Sequence, residues 1–333
     1  MGISGTLVIA ITTLVSLPVV GQPAKPWTAP LTPDGHPDLQ GMWLSRSATP
    51  LERPKALEGR ASLTDAEVAE LKRRAAKIFS DSKSDYGAGD APFLAALANV
   101  EHYKNPNTTG APDLMIEREF DNRTSLIVDP PDGRIPPLTA EAQKKLRSLD
   151  AALAQGIRPP TRVQDLTTGL RCITYGVPRL GGRFGASPES MYQFVQTPGY
   201  LMIVMEVIHD VRIIPLDGRP HLPANMRTWN GDPVGHWEGR TLVVDTTNFS
   251  PKSNFMGSAE NLHLVERFTR VAPDEIDYEM TMDDPTTWTN PWTAMIRLKL
   301  TADKMYEYAC HEGNSVLEEI LKVSRSKEKA AGN

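Results

Sequence analysis

Five of the seven histidines, His209, His221, His236, His263 and His311, fall in the last two fifths of the chain, interleaved with the carboxylates Glu206, Asp245 and Glu266. An imidazole beside a carboxylate suits general acid–base work: its charge changes near neutral pH, and the carboxylate fixes which nitrogen carries the proton. His209, His263 and His311, with Glu206, Asp245 and Glu266, are the candidate catalytic groups. The plainer reading of each is a loop-end or surface residue making one hydrogen bond. Zinc needs three or four convergent ligands, and the chain has neither an HxH nor an HExxH pattern. His209-Asp210 and His311-Glu312 are adjacent in sequence, and adjacent residues on a strand point apart. No metal or other cofactor is assigned, and ligands converging from distant segments stay open as the metal alternative. Ser-His-Asp chemistry lacks a G-x-S-x-G elbow. Gly181-Gly182-Arg183-Phe184-Gly185 has no strand–loop–helix setting and reads as a flexible loop at a pocket mouth.

Tryptophan supplies the second signal. Trp229, Trp237, Trp288 and Trp292 lie in or beside turns of the same region. An indole there stacks on a sugar ring or an apolar ligand, or it packs the core or rim. Trp229, Trp237 and Trp292, with Arg267, are the candidate ligand contacts.

Strands must position these residues. Segments 192–196, 200–208, 211–216, 241–247, 264–271, 275–282, 293–300 and 305–310 carry β-branched and aromatic residues with period-2 alternation. Short turn-like linkers such as Thr197-Pro198-Gly199 and Ala272-Pro273-Asp274 join them. The spacing predicts a mainly β fold: an antiparallel meander closing into a lipocalin-like barrel, or folding as a curved sheet or sandwich, to remove its edges. Alternation places Val204, Glu206 and Ile208 on one face, and Val243, Asp245 and Thr247 on one face. It sets His263, Val265 and Arg267 against Leu264, Glu266 and Phe268, and Glu307 and His311 against Tyr306, Tyr308 and Cys310. Mixed faces of this kind line a cavity or form one wet side of a sheet.

The N-terminal part is loop-rich, in a chain with 28 prolines. Gly41-Met42-Trp43 is the Gly-x-Trp that opens a strand in lipocalin-like barrels, with Trp plugging one end. Thr64 with Glu67 forms a capping box, followed by Val68, Leu71, Ala75 and Ile78 at helical spacing. Ser125–Val128 reads as a strand before a Pro-Pro-Asp-Gly turn. Thr139 caps a second helix running to about Ala154, and segment 80–122 reads as irregular. These two helices and the long loops are expected to pack on the β region.

The first residues address the compartment. Ile3 to Val20 is nearly all apolar or small and ends at Pro18 and Val19-Val20-Gly21, which reads as a cleaved signal peptide over 1–21. No Lys or Arg precedes it, so an uncleaved anchor is the rival reading; Met1-Gly2 with Thr6 also fits a myristoylation pattern. In an exported chain the only two cysteines, Cys172 and Cys310, are expected to pair, the alternative being two buried thiols. The expected organisation is a signal peptide over 1–21, an N-terminal segment over 22–168, a β domain over 169–325 and a frayed tail over 326–333. The net charge of −5 gives no nucleic-acid surface, and no stable membrane insertion is expected after cleavage.

Long blocks of the chain resemble a large family of exported bacterial proteins of unassigned function, abundant in acidobacteria and some proteobacteria. They include Asp34-Gly35-His36-Pro37-Asp38-Leu39-Gln40-Gly41-Met42-Trp43, Ser125-Leu126-Ile127-Val128-Asp129-Pro130-Pro131-Asp132-Gly133-Arg134, Glu260-Asn261-Leu262-His263-Leu264-Val265-Glu266-Arg267-Phe268 and Tyr306-Glu307-Tyr308-Ala309-Cys310-His311-Glu312-Gly313-Asn314. The resemblance implies export, cysteine pairing and a single unit; it implies no reaction. The functional expectation is an exported protein that binds a small organic or carbohydrate-type ligand and acts on it as an acid–base lyase, hydrolase or isomerase. A non-catalytic lipocalin-like carrier or carbohydrate binder is the alternative, and a metal-dependent enzyme the second.

Overall fold

The computed structural model describes residues 27–80, 83–85, 89–104, 118–154, 160, 162–179 and 191–330. The expected signal peptide and the glycine-rich run at 181–185 lie outside the described residues. Among the described residues ten antiparallel strands make one sheet that curls into a nearly closed barrel. Eight follow one another: β3 (Met191–Thr197), β4 (Tyr200–Met205), β5 (Asp210–Pro215), β6 (Asp232–Glu238), β7 (Thr241–Thr247), β8 (His263–Ala272), β9 (Glu275–Asp283) and β10 (Trp292–Leu300). The N-terminal segment does more than pack on this meander. Its strand β1 (Gly41–Ser45) lies between β3 and β10, with Trp43 opposite both Tyr192 and Leu300. Its short strand β2 (Ile127–Asp129) pairs with the start of β10.

Period-2 alternation builds the interior. On β9, Ile276, Tyr278, Met280 and Met282 are buried; on β10, Trp292, Ala294, Ile296 and Leu298. With Phe194, Ile203, Leu242, Val244, Leu264 and Phe268 they form one continuous core. The two ends of the sheet meet where β5 approaches β6. There a Cβ on Gly235 would come within 2.6 Å of Leu216 Cδ2 and 3.1 Å of Ile214 Cγ2, so glycine permits the close approach.

Residues of the N-terminal segment close the barrel end at which β10 finishes. Gln196 accepts the Leu39 N–H at 2.9 Å and donates to the Pro37 carbonyl at 3.2 Å. Trp43 is fully buried, and the Arg270 guanidinium lies 5.5 Å from its ring. The expected Gly-x-Trp strand is thus present.

Among the described residues four helices accompany the barrel. Helix α1 (Asp65–Ile78) has the expected capping box and buries Val68, Leu71, Ala75 and Ile78. It packs on α2 (Ala91–Ala98) in a second small core with Phe93 and Phe120. Helix α2 replaces the irregular stretch expected there. Its Ala-Pro-Phe-Leu-Ala-Ala-Leu-Ala sequence is apolar all round and has no periodic stripe to read; Asn99 at φ 50° ends it. Helix α3 (Ala140–Ala154) starts where Thr139 Oγ1 accepts the Ala142 N–H at 3.1 Å. Helix α4 (Val316–Ala330) runs into the tail expected to fray over 326–333. It buries Leu321 and Ser324, and Glu318 pairs with Lys322 one turn on. Among the described residues no helix is long and apolar enough to cross a membrane.

Three strand expectations need correction. The strand expected over 200–208 ends at Met205, so Glu206 and Ile208 lie in a turn and do not continue the face of Val204. Met305–Cys310 is not a strand, and Asp232–Glu238, absent from the expected strands, forms β6. Pro233 and Gly235 weaken the strand signal in β6.

Candidate functional site

The strongest polar constellation sits on the outer face of β6, β7 and β8. Leu242, Val244 and Thr246 are buried on β7, so Asp245 points out; Leu264, Glu266 and Phe268 are buried on β8, so His263 points out. His263 donates Nε2–H to Asp245 Oδ2 at 2.8 Å. The other oxygen, Oδ1, lies 2.9 Å from Nε2 of His221, which the loop between β5 and β6 supplies. Nδ1 of His221 lies 3.2 Å from Oδ2 of Asp232 at the start of β6. The same Asp232 oxygen accepts the Leu222 N–H at 2.7 Å, and Asn248 Nδ2 donates to the Leu222 carbonyl at 2.8 Å, which pins this loop.

Electrostatics follow from the geometry. The Asp245 hydrogen bond holds the His263 pKa above its ordinary value; partial burial opposes this, and the charges of Asp245 and of the cross-strand Asp283 add to it. Burial works to raise the Asp245 pKa, but the hydrogen bonds and charges of His263 and His221 outweigh it and hold the carboxyl below its ordinary value. The His263 side chain is 43% exposed. Its Nδ1 makes no hydrogen bond among the described residues. The arrangement is an oriented imidazole with one nitrogen fixed on a carboxylate and the other available for proton exchange.

His209, His263 and His311 do not converge. His263 meets Asp245 and the unselected His221. His209, in the turn between β4 and β5, accepts the Tyr308 N–H on Nε2 at 3.0 Å. Glu206 in the same turn is buried and accepts the Tyr306 N–H at 3.1 Å. Both residues clamp segment 305–310 through alternate main-chain amides. These side-chain acceptors take the place of a neighbouring strand, so the segment joins no ladder. His311 is exposed and its imidazole has no hydrogen-bond partner among the described residues.

Glu266 is placed where no substrate reaches it. It is fully buried, takes both terminal nitrogens of Arg212, one at 2.9 Å, and accepts the Tyr278 hydroxyl. Arg212 also donates to Thr246 Oγ1 at 3.2 Å. Beside this group the barrel leaves a void of about 10 Å³, room for one water. Among the described residues Arg212, Glu266, Tyr278 and Thr246 thus bond to one another inside the core around that small void.

The tryptophans divide likewise. Trp292 is fully buried in an aromatic cluster with Phe255 and Trp288, so it makes core, not ligand, contacts. Trp237 is half-buried and stacks on His36 at 4.9 Å. Trp229 is half-buried in the loop before β6, and its carbonyl accepts the Ser253 hydroxyl at 2.7 Å. Arg267 pairs with Glu238 at 2.8 Å on the outer face.

Cys172 and Cys310 form a disulfide across 138 residues. Cys310 lies beyond the last strand, so the bridge ties the segment before the meander to the segment after it. A hollow of about 300 Å³ opens beside the bridge, walled by Leu170, Tyr175, Tyr308, Glu312 and Val316. Thr174 holds the same stretch down: its hydroxyl lies 2.7 Å from Asp210 and 3.0 Å from Asn230. Arg179 pairs with Asp210 in a buried contact.

His221 and Asp232 are the site residues that selection by sequence missed. His221 lies in a Pro-His-Leu-Pro stretch of a long loop, and only its membership of the histidine group marked it. Among the described residues no group of three or more His, Cys, Asp or Glu is arranged to hold a metal ion. No protein-family model, curated protein or solved structure matches the chain.

Proposed function

We propose that this chain is an exported enzyme performing general acid–base chemistry on a small polar organic substrate, with His263 as the proton-transfer group. The observation that carries the reading is the Asp245 carboxylate bridging two imidazoles, 2.8 Å from His263 and 2.9 Å from His221. Asp245 fixes the proton on Nε2 of His263 and leaves Nδ1 to act on a substrate. With its pKa raised from 6.5, His263 is protonated at neutral pH to a greater extent than a free imidazole. It can therefore give a proton as well as take one, as lyase, hydrolase and isomerase chemistry requires. His221, held by Asp232, keeps the carboxylate in place. The disulfide and the apolar leader support export. The filled interior weighs against a carrier that holds its ligand inside the barrel.

The test is conversion. The oxidised full chain is incubated with a pool of small polar metabolites, and mass spectrometry compares the pool before and after. At least one compound is expected to change, at a rate reduced about 10²–10⁴-fold by His263→Gln. No conversion by the native chain, or equal conversion by the variant, overturns the reading.

A further inference from the structure

We propose that the hollow beside the Cys172–Cys310 bridge is a binding site for a small organic cation, distinct from the Asp245 constellation. Its volume of about 300 Å³ lies at the lower end of the range for small-molecule sites. Four large side chains around it remain well exposed: Leu170 at 38%, Tyr175 at 50%, Tyr308 at 38% and Val316 at 48%. An apolar wall left open to water in this way gains by covering an apolar body.

Charge selects the occupant. Glu312 is the one ionisable carboxylate lining the hollow, and it has no hydrogen-bond or ion-pair partner among the described residues. The amide side chain in the wall, Asn314, is engaged with the Leu170 carbonyl and Cys172 Sγ, both at 3.4 Å. A carboxylate without a partner beside two phenol rings favours a cation with an apolar body, since the electron-rich ring face attracts positive charge. Tyr175 already shows this behaviour: the Arg179 guanidinium lies 5.9 Å from its centroid. That guanidinium is committed to Asp210 in a buried ion pair, so it leaves Glu312 unneutralised. An anion is repelled by Glu312, and a neutral ligand leaves its charge unused.

The hollow depends on the bridge. Tyr308 and Glu312 flank Cys310, while Leu170 and Tyr175 flank Cys172, so the disulfide holds the two walls face to face. The Tyr308 ring is free to be changed without cutting the clamp, because His209 binds the Tyr308 main-chain amide.

Calorimetric titration of the oxidised full chain with choline tests the proposal. Its neutral isostere 3,3-dimethylbutanol and glucose serve as controls. Saturable choline binding is expected, about tenfold or more tighter than 3,3-dimethylbutanol, with no glucose binding. Glu312→Gln and Tyr308→Ala are each expected to weaken choline about tenfold, and Cys310→Ser to abolish its binding. Equal affinity for the neutral isostere, unchanged choline affinity in Glu312→Gln, preference for glucose or the absence of saturable choline binding each overturn it. Glu312 is exposed, and an unchanged melting temperature of Glu312→Gln separates lost binding from lost structure.

Discussion

Asp245 accepts the Nε2–H of His263 at 2.8 Å although the two residues are not direct cross-strand partners: Asp245 faces Val265, and His263 faces Asp283. The contact is diagonal across β7 and β8, within the reach of side chains on one sheet face. It couples two groups whose proton affinities move in opposite directions, and stability must respond to pH accordingly.

His263 binds its proton more tightly in the fold than in the unfolded chain, because its pKa is raised from 6.5. Its contribution is fully present below 6.5 and is lost as pH rises through the raised folded value. Asp245 is held below 3.8; its contribution is present above 3.8 and is lost as pH falls through the lowered folded value. Both contributions are therefore present from 3.8 to 6.5. Solvent screening of side chains 36% and 43% exposed keeps them small. The melting-temperature difference between the native chain and His263→Gln is expected to be largest in that window and to shrink above it. A difference that stays constant from acid to alkaline pH contradicts the assignment.

Inside the barrel the same residue types serve a different end. Arg212 and Glu266 are both buried, and the Tyr278 hydroxyl and Thr246 add to their hydrogen bonds, while Arg212 Nε has no partner among the described residues. Glu266→Gln leaves the guanidinium in the core with no opposing charge. Loss of one partner from a buried pair costs about 3–5 kcal/mol. Urea unfolding is expected to show that loss, and the double variant Arg212→Met, Glu266→Leu is expected to regain part of it. A single-variant loss under about 1 kcal/mol means that the pair is already relaxed by water.

The placement of these two carboxylates shows what alternation does and does not reveal. Period 2 sets His263 and Glu266 on opposite faces of β8 and puts Asp245 with Val243 and Thr247, and the structure has those groupings. Alternation does not say which face is inside; that depends on the direction in which the whole sheet curls. Met305–Cys310 misleads for a different reason. Its tyrosines alternate in sequence, but both are exposed, and its amides at Tyr306 and Tyr308 are held by the Glu206 and His209 side chains rather than by a neighbouring strand. His221 meets Asp245 from 24 residues away through a loop that carries no period at all.

The seam between β5 and β6 rests on Gly235. A Cβ there would come within 2.6 Å of Leu216 and 3.4 Å of the Val243 carbonyl. Leu216 can turn aside for one methyl group, but the β7 backbone cannot. Gly235→Ala is expected to cost little, whereas Gly235→Val is expected to cost about 1–3 kcal/mol through overpacking. Amide exchange in β5 and β6 should rise first, because these strands end the sheet. Equal stability of Gly235→Val and the native chain would show that the barrel is open at this point.

The clamp on segment 305–310 has covalent and non-covalent parts that mutation separates. Closing 138 residues with a disulfide contributes about 4–5 kcal/mol in the chain-entropy account. Cys310→Ser is expected to lose most of that in denaturant unfolding and to speed exchange at both the Tyr306 and Tyr308 amides. His209→Ala leaves the bridge intact and removes only the acceptor of the Tyr308 amide. Exchange at Tyr308 is then expected to accelerate more than at Tyr306, which Glu206 still holds. Identical acceleration at both amides in His209→Ala would mean that the segment is released as one unit. In that case the bridge, and not the pair of side-chain acceptors, sets its position.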